Sequence, residues 1–222
     1  MKKSILFLLF GYIGIHSGIA QDYLYEGGVG AGISSAYGDL NQGGFFYRPR
    51  FAFDAHFRYK YNLRWAFTGE FLSAGLAGKS SDFDNKFPNG AEYQFNNRLW
   101  QVSGNAEFNF LNYGTGASYR NMSRVSPFIS VGMGLGMVSG GDNSEFSFSL
   151  PLGVGVKYRF APRWNLMMKL VFAKTFTDKA DGIEDPYAIV SSGAKNTDWY
   201  STLGMSVSYE FGLRKRKCNN LD

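Results

Sequence analysis

The chain has 222 residues, of which 45% are hydrophobic and 18% aromatic, and its formal net charge is +5. This composition excludes a disordered chain, and the single cysteine excludes a disulfide-stapled mini-protein. After the first 20 residues, no apolar run is long enough for a membrane-spanning helix, and the excess of Phe, Tyr and Gly favours β structure. We therefore expect an all-β protein.

The first 20 residues have the pattern of a secretory signal peptide. A basic start precedes an apolar stretch over 5–15, and the small residues Gly18 and Ala20 stand at the positions that signal peptidase reads. We expect cleavage after Ala20. The predicted organisation is a signal peptide over 1–20, a barrel over 21–211 and a tail over 212–222.

The rest of the sequence alternates between apolar and polar residues, which is typical of strands with two different faces. The clearest example is 51–61, where Phe53 and Phe57 alternate with Asp54 and Arg58. Eight such stretches occur in chain order: 23–37, 51–61, one that begins at 65 and continues through 71, 100–110, 129–137, 146–160, 164–175 and 199–211. Strands of about ten residues cross a bilayer when tilted. The pattern predicts an all-β, eight-stranded antiparallel up-and-down transmembrane β-barrel of the outer-membrane type.

A soluble barrel also alternates, so the residue types on the less apolar face must decide between the two. Gly28, Gly30 and Gly32 share this face in the first strand, and a similar glycine series occurs in the fifth. Small residues fit the lumen of a narrow barrel, whereas on a solvent-facing surface glycine is a poor strand former and has no polar side chain to interact with water. Aromatic residues gather at one end of the strands, as in an interfacial girdle: Tyr61, Trp65, Phe110, Tyr158, Phe160, Trp164, Tyr209 and Phe211.

The connections alternate in length. The turns at 62–64 and 161–163 are tight, whereas 38–49, 78–96 and 177–197 are long. Short periplasmic turns and long external loops are typical of outer-membrane barrels, so we expect both termini in the periplasm. Two connections depart from this rule: 111–124 is long on the periplasmic side, and 139–145 is short on the external side.

Charged residues of the polar face converge in the predicted periplasmic half of the lumen. Unpaired charges in a narrow interior would be costly, so four acids and four bases suggest a paired plug and no wide pore. We name this set the lumen charge plug: Glu26, Arg58, Lys60, Glu70, Glu107, Lys157, Arg159 and Glu210.

No pattern of catalytic or metal-ligating residues stands out. His56 faces the lumen near Asp54, and a serine such as Ser103 or Ser149 could complete an esterase site, but a lumen without an entrance argues against it. No cluster has metal-ligand spacing. We expect no enzymatic activity, no cofactor, no metal and no small-molecule substrate. Nucleic-acid binding is not expected either, since the base excess is confined to the tail.

The tail admits two interpretations. The simpler interpretation is a solvated basic end that contacts outer-membrane lipid. The more specific interpretation starts from the single thiol, that of Cys218, which in an oxidising compartment could form an intermolecular disulfide. On this hypothesis the tail docks a periplasmic partner through Arg214, Lys215, Arg216, Lys217 and Cys218.

The chain resembles the PorG family, an outer-membrane barrel of the type IX secretion system. The residues that carry the resemblance cover 37–40 (Tyr-Gly-Asp-Leu), 58–66 over the first tight turn, 157–160 with the following Pro162, Arg163 and Trp164, and the basic stretch that ends in Cys218. The resemblance implies a non-enzymatic component that anchors the periplasmic ring of the PorK lipoprotein and PorN to the outer membrane. The tail and 111–124 would then be docking surfaces. The alternative is a general adhesin or narrow porin that acts through loops 78–96 and 177–197.

Overall fold

The structure is a computed structural model that describes residues 23–37, 48–79, 94–113, 122–140, 143–176 and 199–213. The predicted signal peptide and the basic tail with Cys218 lie outside the described residues, as does most of each long loop. Across the described ranges, no helix is long and apolar enough to span a membrane.

Eight antiparallel strands form one closed barrel, which confirms the predicted fold class. Each strand pairs with its neighbours in the sequence, and β1 closes the barrel against β8 from the Tyr23↔Leu213 pair to the Tyr37↔Trp199 pair. The strands are β1 Tyr23–Tyr37, β2 Arg50–Lys60, β3 Trp65–Lys79, β4 Gln94–Asn109, β5 Val125–Gly140, β6 Asn143–Ala161, β7 Trp164–Thr175 and β8 Trp199–Leu213.

Several strands are longer than the alternating pattern predicts. β3 continues to Lys79, β4 begins at Gln94, and β5 and β6 form a hairpin whose last pair is Gly140↔Asn143. The reason is that the backbone ladder needs only N–H and C=O groups, so it continues beyond the segment where apolar side chains alternate. We call the end that carries Tyr23, Leu213 and the turns at 61–64 and 162–163 the turn end, and the opposite end the loop end.

The outward face is apolar over most of the barrel. Met133 is 66% exposed and Phe146 is 68% exposed, and large apolar side chains on every strand accompany them. A water-soluble monomer rarely exposes such a continuous band, whereas hydrocarbon accommodates it. At the turn end the outward face is aromatic, with Trp65 packed edge-on against Phe108 at 5.0 Å and Trp164 against Tyr209 at 5.1 Å.

Glycines allow β1 and β8 to approach each other closely. A Cβ atom at Gly32 would lie 2.1 Å from the carbonyl oxygen of Leu203 and 2.6 Å from the Cα of Gly204. Both are backbone atoms, so the neighbouring strand itself would have to move. Gly104 is different, because a Cβ there would meet nothing within 4 Å.

We therefore predict that Gly32→Ala lowers the free energy of unfolding by about 1–3 kcal/mol, because the added methyl group overpacks the β1–β8 seam. Urea unfolding in phospholipid vesicles, followed by tryptophan fluorescence, measures the change. Gly104→Ala is the matched control and should leave the stability unchanged. Equal effects of the two substitutions would contradict the seam explanation.

Candidate functional site

The lumen is the candidate site, because the predicted charged residues point into it. All eight members of the lumen charge plug lie on the inward face, and five of them are only 1% exposed: Glu26, Arg58, Glu107, Lys157 and Glu210. Such burial of charge is tolerated only when each group has hydrogen-bonding partners.

Glu107 is the acceptor at the centre of one half of this network. Arg58 donates two hydrogen bonds to Glu107, from Nε to Oε2 at 2.8 Å and from Nη2 to Oε1 at 3.2 Å. Lys157 Nζ donates to Oε2 at 2.6 Å, and Thr68 Oγ1 donates to Oε1 at 2.7 Å. A carboxylate has about four lone-pair sites. These four donors therefore saturate Glu107.

Glu210 plays the same part in the other half. It accepts hydrogen bonds from Arg159 Nη2 at 2.6 Å, from Asn165 Nδ2 at 2.9 Å and from Lys60. The two halves are joined at Glu26, which accepts from Arg58 and has the Lys60 ammonium 3.6 Å from its Oε2. The network is therefore continuous across the lumen.

Glu70 departs from the expected arrangement. It lies one layer further from the turn end, opposite His56, and forms its ion pair with Lys169. The cluster at the turn end thus contains four bases, namely Arg58, Lys60, Lys157 and Arg159, against three acids. The prediction omitted Lys169, because the alternation in β7 is weak and register alone does not show which strands face each other across the lumen.

Tyr113 covers the lumen at the turn end. It lies just after β4, is 5% exposed, and donates its hydroxyl to Asn165 Oδ1 at 2.6 Å. The guanidinium carbon of Arg159 lies 4.9 Å from the centre of its ring. Burial raises the pKa of the Tyr113 hydroxyl, so it stays protonated and remains a donor. The 111–124 connection, expected as a docking surface, therefore inserts one of its residues into the barrel mouth; its segment 114–121 lies outside the described residues.

An apolar layer fills the lumen at the loop end, which the sequence reasoning missed. Tyr200 crosses the lumen within it and donates its hydroxyl to Gln101 Oε1 at 2.7 Å. The signal was present as Leu72, Leu76 and Leu99 on the polar face of β3 and β4. The buried members of the layer are Ala36, Ala52, Leu72, Ala74, Leu76, Leu99, Val138, Ala173 and Tyr200.

A small cavity separates the charged and apolar layers. It has a volume of about 20 Å³ and is lined by Asp54, Glu70, Lys169 and Ser206 among others. A volume of this size holds about one water molecule. His56 Nδ1 lies beside this cavity's Asp54, 3.2 Å from Oδ2.

The serines considered for catalysis have other partners. Ser149 Oγ donates to Gln101 at 2.9 Å, and Ser103 Oγ accepts from Asn105 at 3.1 Å. Neither serine is hydrogen-bonded to His56, so the geometry does not assemble an esterase site. Among the residues the structure describes, no group of His, Cys, Asp and Glu could hold a metal ion. The predicted docking residues Arg214 to Cys218 lie outside them.

We predict that Glu107→Gln destabilises the barrel by about 3–5 kcal/mol, because Arg58 and Lys157 remain buried after their shared countercharge is removed. Urea unfolding in vesicles measures the loss.

The matched control is Ser147→Ala, since Ser147 Oγ is buried and makes no hydrogen bond to the described part of the chain. Its removal should leave the stability unchanged or raise it. If both variants unfolded at the wild-type urea concentration, Glu107 would not be the acceptor on which the network depends.

Comparison with known proteins places the barrel among outer-membrane folds. The structure is similar to Neisserial surface protein A, with a TM-score of 0.53 and 17% identity, covering 84% of this chain and 97% of that chain. It is also similar to the attachment invasion locus protein Ail of Yersinia pestis in complex with sucrose octasulfate, with a TM-score of 0.46 and 15% identity, covering 85% of this chain and 99% of that chain. A third similar structure is OprG of Pseudomonas aeruginosa, with a TM-score of 0.47 and 10% identity, covering 87% of this chain and 100% of that chain. No curated protein matches the chain. The model of a domain of unknown function, DUF6089, matches residues 3–220, and the chain therefore belongs to the DUF6089 family.

Proposed function

We propose that the protein is a non-enzymatic outer-membrane barrel that anchors other proteins and does not conduct solutes. The observation that carries the proposal is the filled lumen. Side chains cross it at both ends of the described barrel, as a charged network under Tyr113 at the turn end and as an apolar layer around Tyr200 at the loop end.

The outward surface supports the membrane location. A closed barrel leaves no unpaired strand edge, so its backbone groups pair within the sheet and the apolar outer face can meet lipid. The aromatic girdle at the turn end matches the headgroup region of a bilayer. We propose that the barrel lies in an outer membrane with both termini on the periplasmic side, and the signal peptide predicted over 1–20 supports this location.

The chemistry of the lumen argues against a porin. Glu107 already accepts four hydrogen bonds, and Glu210 accepts three. A solute would have to displace these buried, hydrogen-bonded ion pairs before it could pass, and their displacement would leave buried charges unpaired. Function is therefore exerted at the surfaces of the barrel and not through it.

The more specific proposal is a role in type IX protein secretion, in which the barrel docks the PorK lipoprotein and PorN at its periplasmic end. The resemblance to the PorG family at 37–40, 58–66 and 157–164 supports it. The turn end also supports it, because both ends of the barrel chain emerge there and the basic tail with Cys218 follows directly after β8. We propose that the tail provides the docking surface and that Cys218 forms an intermolecular disulfide.

We predict that the purified protein in planar lipid bilayers produces no stepwise ionic conductance, because the lumen is filled. A porin of known conductance, reconstituted from the same detergent, is the control for successful insertion. Regular conductance steps from the folded protein would contradict the sealed lumen and would favour the narrow-porin alternative.

We predict that deletion of 214–222 abolishes recovery of PorK and PorN with the barrel and blocks export of type IX cargo. Cys218→Ser should remove a reducible high-mass band on non-reducing gels. Deletions within loops 78–96 and 177–197 are the matched controls and should leave secretion intact. If cells with the tail deletion secreted normally while the barrel kept its heat-modifiable gel mobility, this result would count against tail docking. If the loop deletions abolished surface binding, that result would support the adhesin alternative.

A further inference from the structure

Arg163 forms a cluster with two tyrosines on the outer rim of the turn end. It lies in the two-residue connection between β6 and β7. Its Nε donates to the hydroxyl of Tyr23 at 2.8 Å, and its Nη1 donates to the hydroxyl of Tyr209 at 2.9 Å. The guanidinium carbon lies 4.7 Å from the ring centre of Tyr23 and 6.0 Å from that of Tyr209. The arginine is thus held in place by residues of β1 and β8.

The cluster keeps hydrogen-bond donors that a ligand could use. A guanidinium has five N–H donors, and two of those of Arg163 are used by the tyrosines. Each tyrosine hydroxyl serves as an acceptor here, so its own O–H remains a donor. The hydrogen bonds that Arg163 donates to the two hydroxyls raise its pKa, which keeps it charged. The cluster therefore presents a positive charge together with free N–H and O–H donors.

No acidic side chain among the described residues pairs with the charge of Arg163. The acids near the turn end are Glu26, Glu107 and Glu210, which are buried in the lumen and paired with its cations. Arg64 and Arg124 are exposed at the same end. Electrostatic complementarity thus calls for an anion from outside the described chain.

The depth of the cluster indicates which anion it meets. Tyr209 and Trp164 belong to the outward aromatic girdle, and their rings pack edge-on at 5.1 Å. Tyr23 lies at the same end of the barrel and shares the Arg163 guanidinium with Tyr209. Aromatic girdles of membrane barrels lie at the level of the lipid headgroups. At that depth the abundant anionic acceptor is a phospholipid phosphate, and arginine suits it because the planar fork can bind two phosphate oxygens.

We propose that Arg163, Tyr23 and Tyr209 form a binding site for the phosphate of an anionic phospholipid in the leaflet at the turn end. The proposal rests on the proposed membrane location but not on any secretion partner. It extends the function of the rim from a nonspecific interfacial girdle to a defined lipid site.

Native mass spectrometry of the detergent-solubilised barrel, titrated with phosphatidylglycerol, tests the site. Arg163→Gln should weaken phosphatidylglycerol binding about tenfold, since it removes charge-assisted hydrogen bonds. Arg124→Gln removes the same charge at the same end without the tyrosine contacts, so it should change binding less than about twofold. The double variant Tyr23→Phe, Tyr209→Phe keeps the charge and should also weaken binding.

Several results would overturn the proposed lipid site or the membrane location on which it rests. Equal losses in Arg163→Gln and Arg124→Gln would overturn the site in favour of diffuse surface charge, and so would unchanged binding by the tyrosine double variant. Displacement of the lipid by an equal concentration of inorganic phosphate would overturn the lipid as the source. Heat-modifiable mobility confirms that each variant is folded. A wild-type protein that does not insert into vesicles would instead refute the membrane location on which the site rests.

Discussion

The narrow lumen of an eight-stranded barrel is the constraint from which the other features of this protein follow. Eight strands close around an interior just wide enough for side chains. At Gly32 only glycine fits, because a Cβ there would meet the backbone of β8. Where charged groups enter, they pair with one another, since there is no room for bulk water to solvate them. The result is a lumen with a charged layer, a water-sized cavity and an apolar layer.

The charged layer behaves as one unit because its acids share their donors. Arg58 links Glu26 to Glu107, and Lys60 links Glu26 to Glu210. Buried ion pairs contribute little net stability relative to an apolar core, but breaking one leaves a buried charge. Their main effect here is on register. A slip of one residue would turn these side chains into the hydrocarbon and the aromatic residues into the lumen, so one alignment of the strands is strongly favoured.

The inner and outer surfaces of the turn end differ in how far their charges are satisfied. Inside, the carboxylates accept the hydrogen bonds of the cations, and Tyr113 covers the mouth. Outside, the described partners of Arg163 are the neutral hydroxyls of Tyr23 and Tyr209, which do not neutralise its charge. The same residue type therefore has a structural role in the lumen at Arg58 and a role in ligand binding at the rim. This difference separates a sealed interior from a surface that contacts lipid.

Local alternation in the sequence was enough to determine the number and order of the strands, their faces and the inward position of residues such as Glu107, because a period of two assigns each side chain to one face. The partners across the lumen were decided only by closure of the barrel. Lys169 pairs with Glu70, 99 positions away, and Tyr113 bonds Asn165, 52 positions away. The apolar layer around Tyr200 is another such feature, since its residues come from seven strands. Contacts of this kind depend on strand tilt and stagger around a closed ring, which no local pattern of residues encodes.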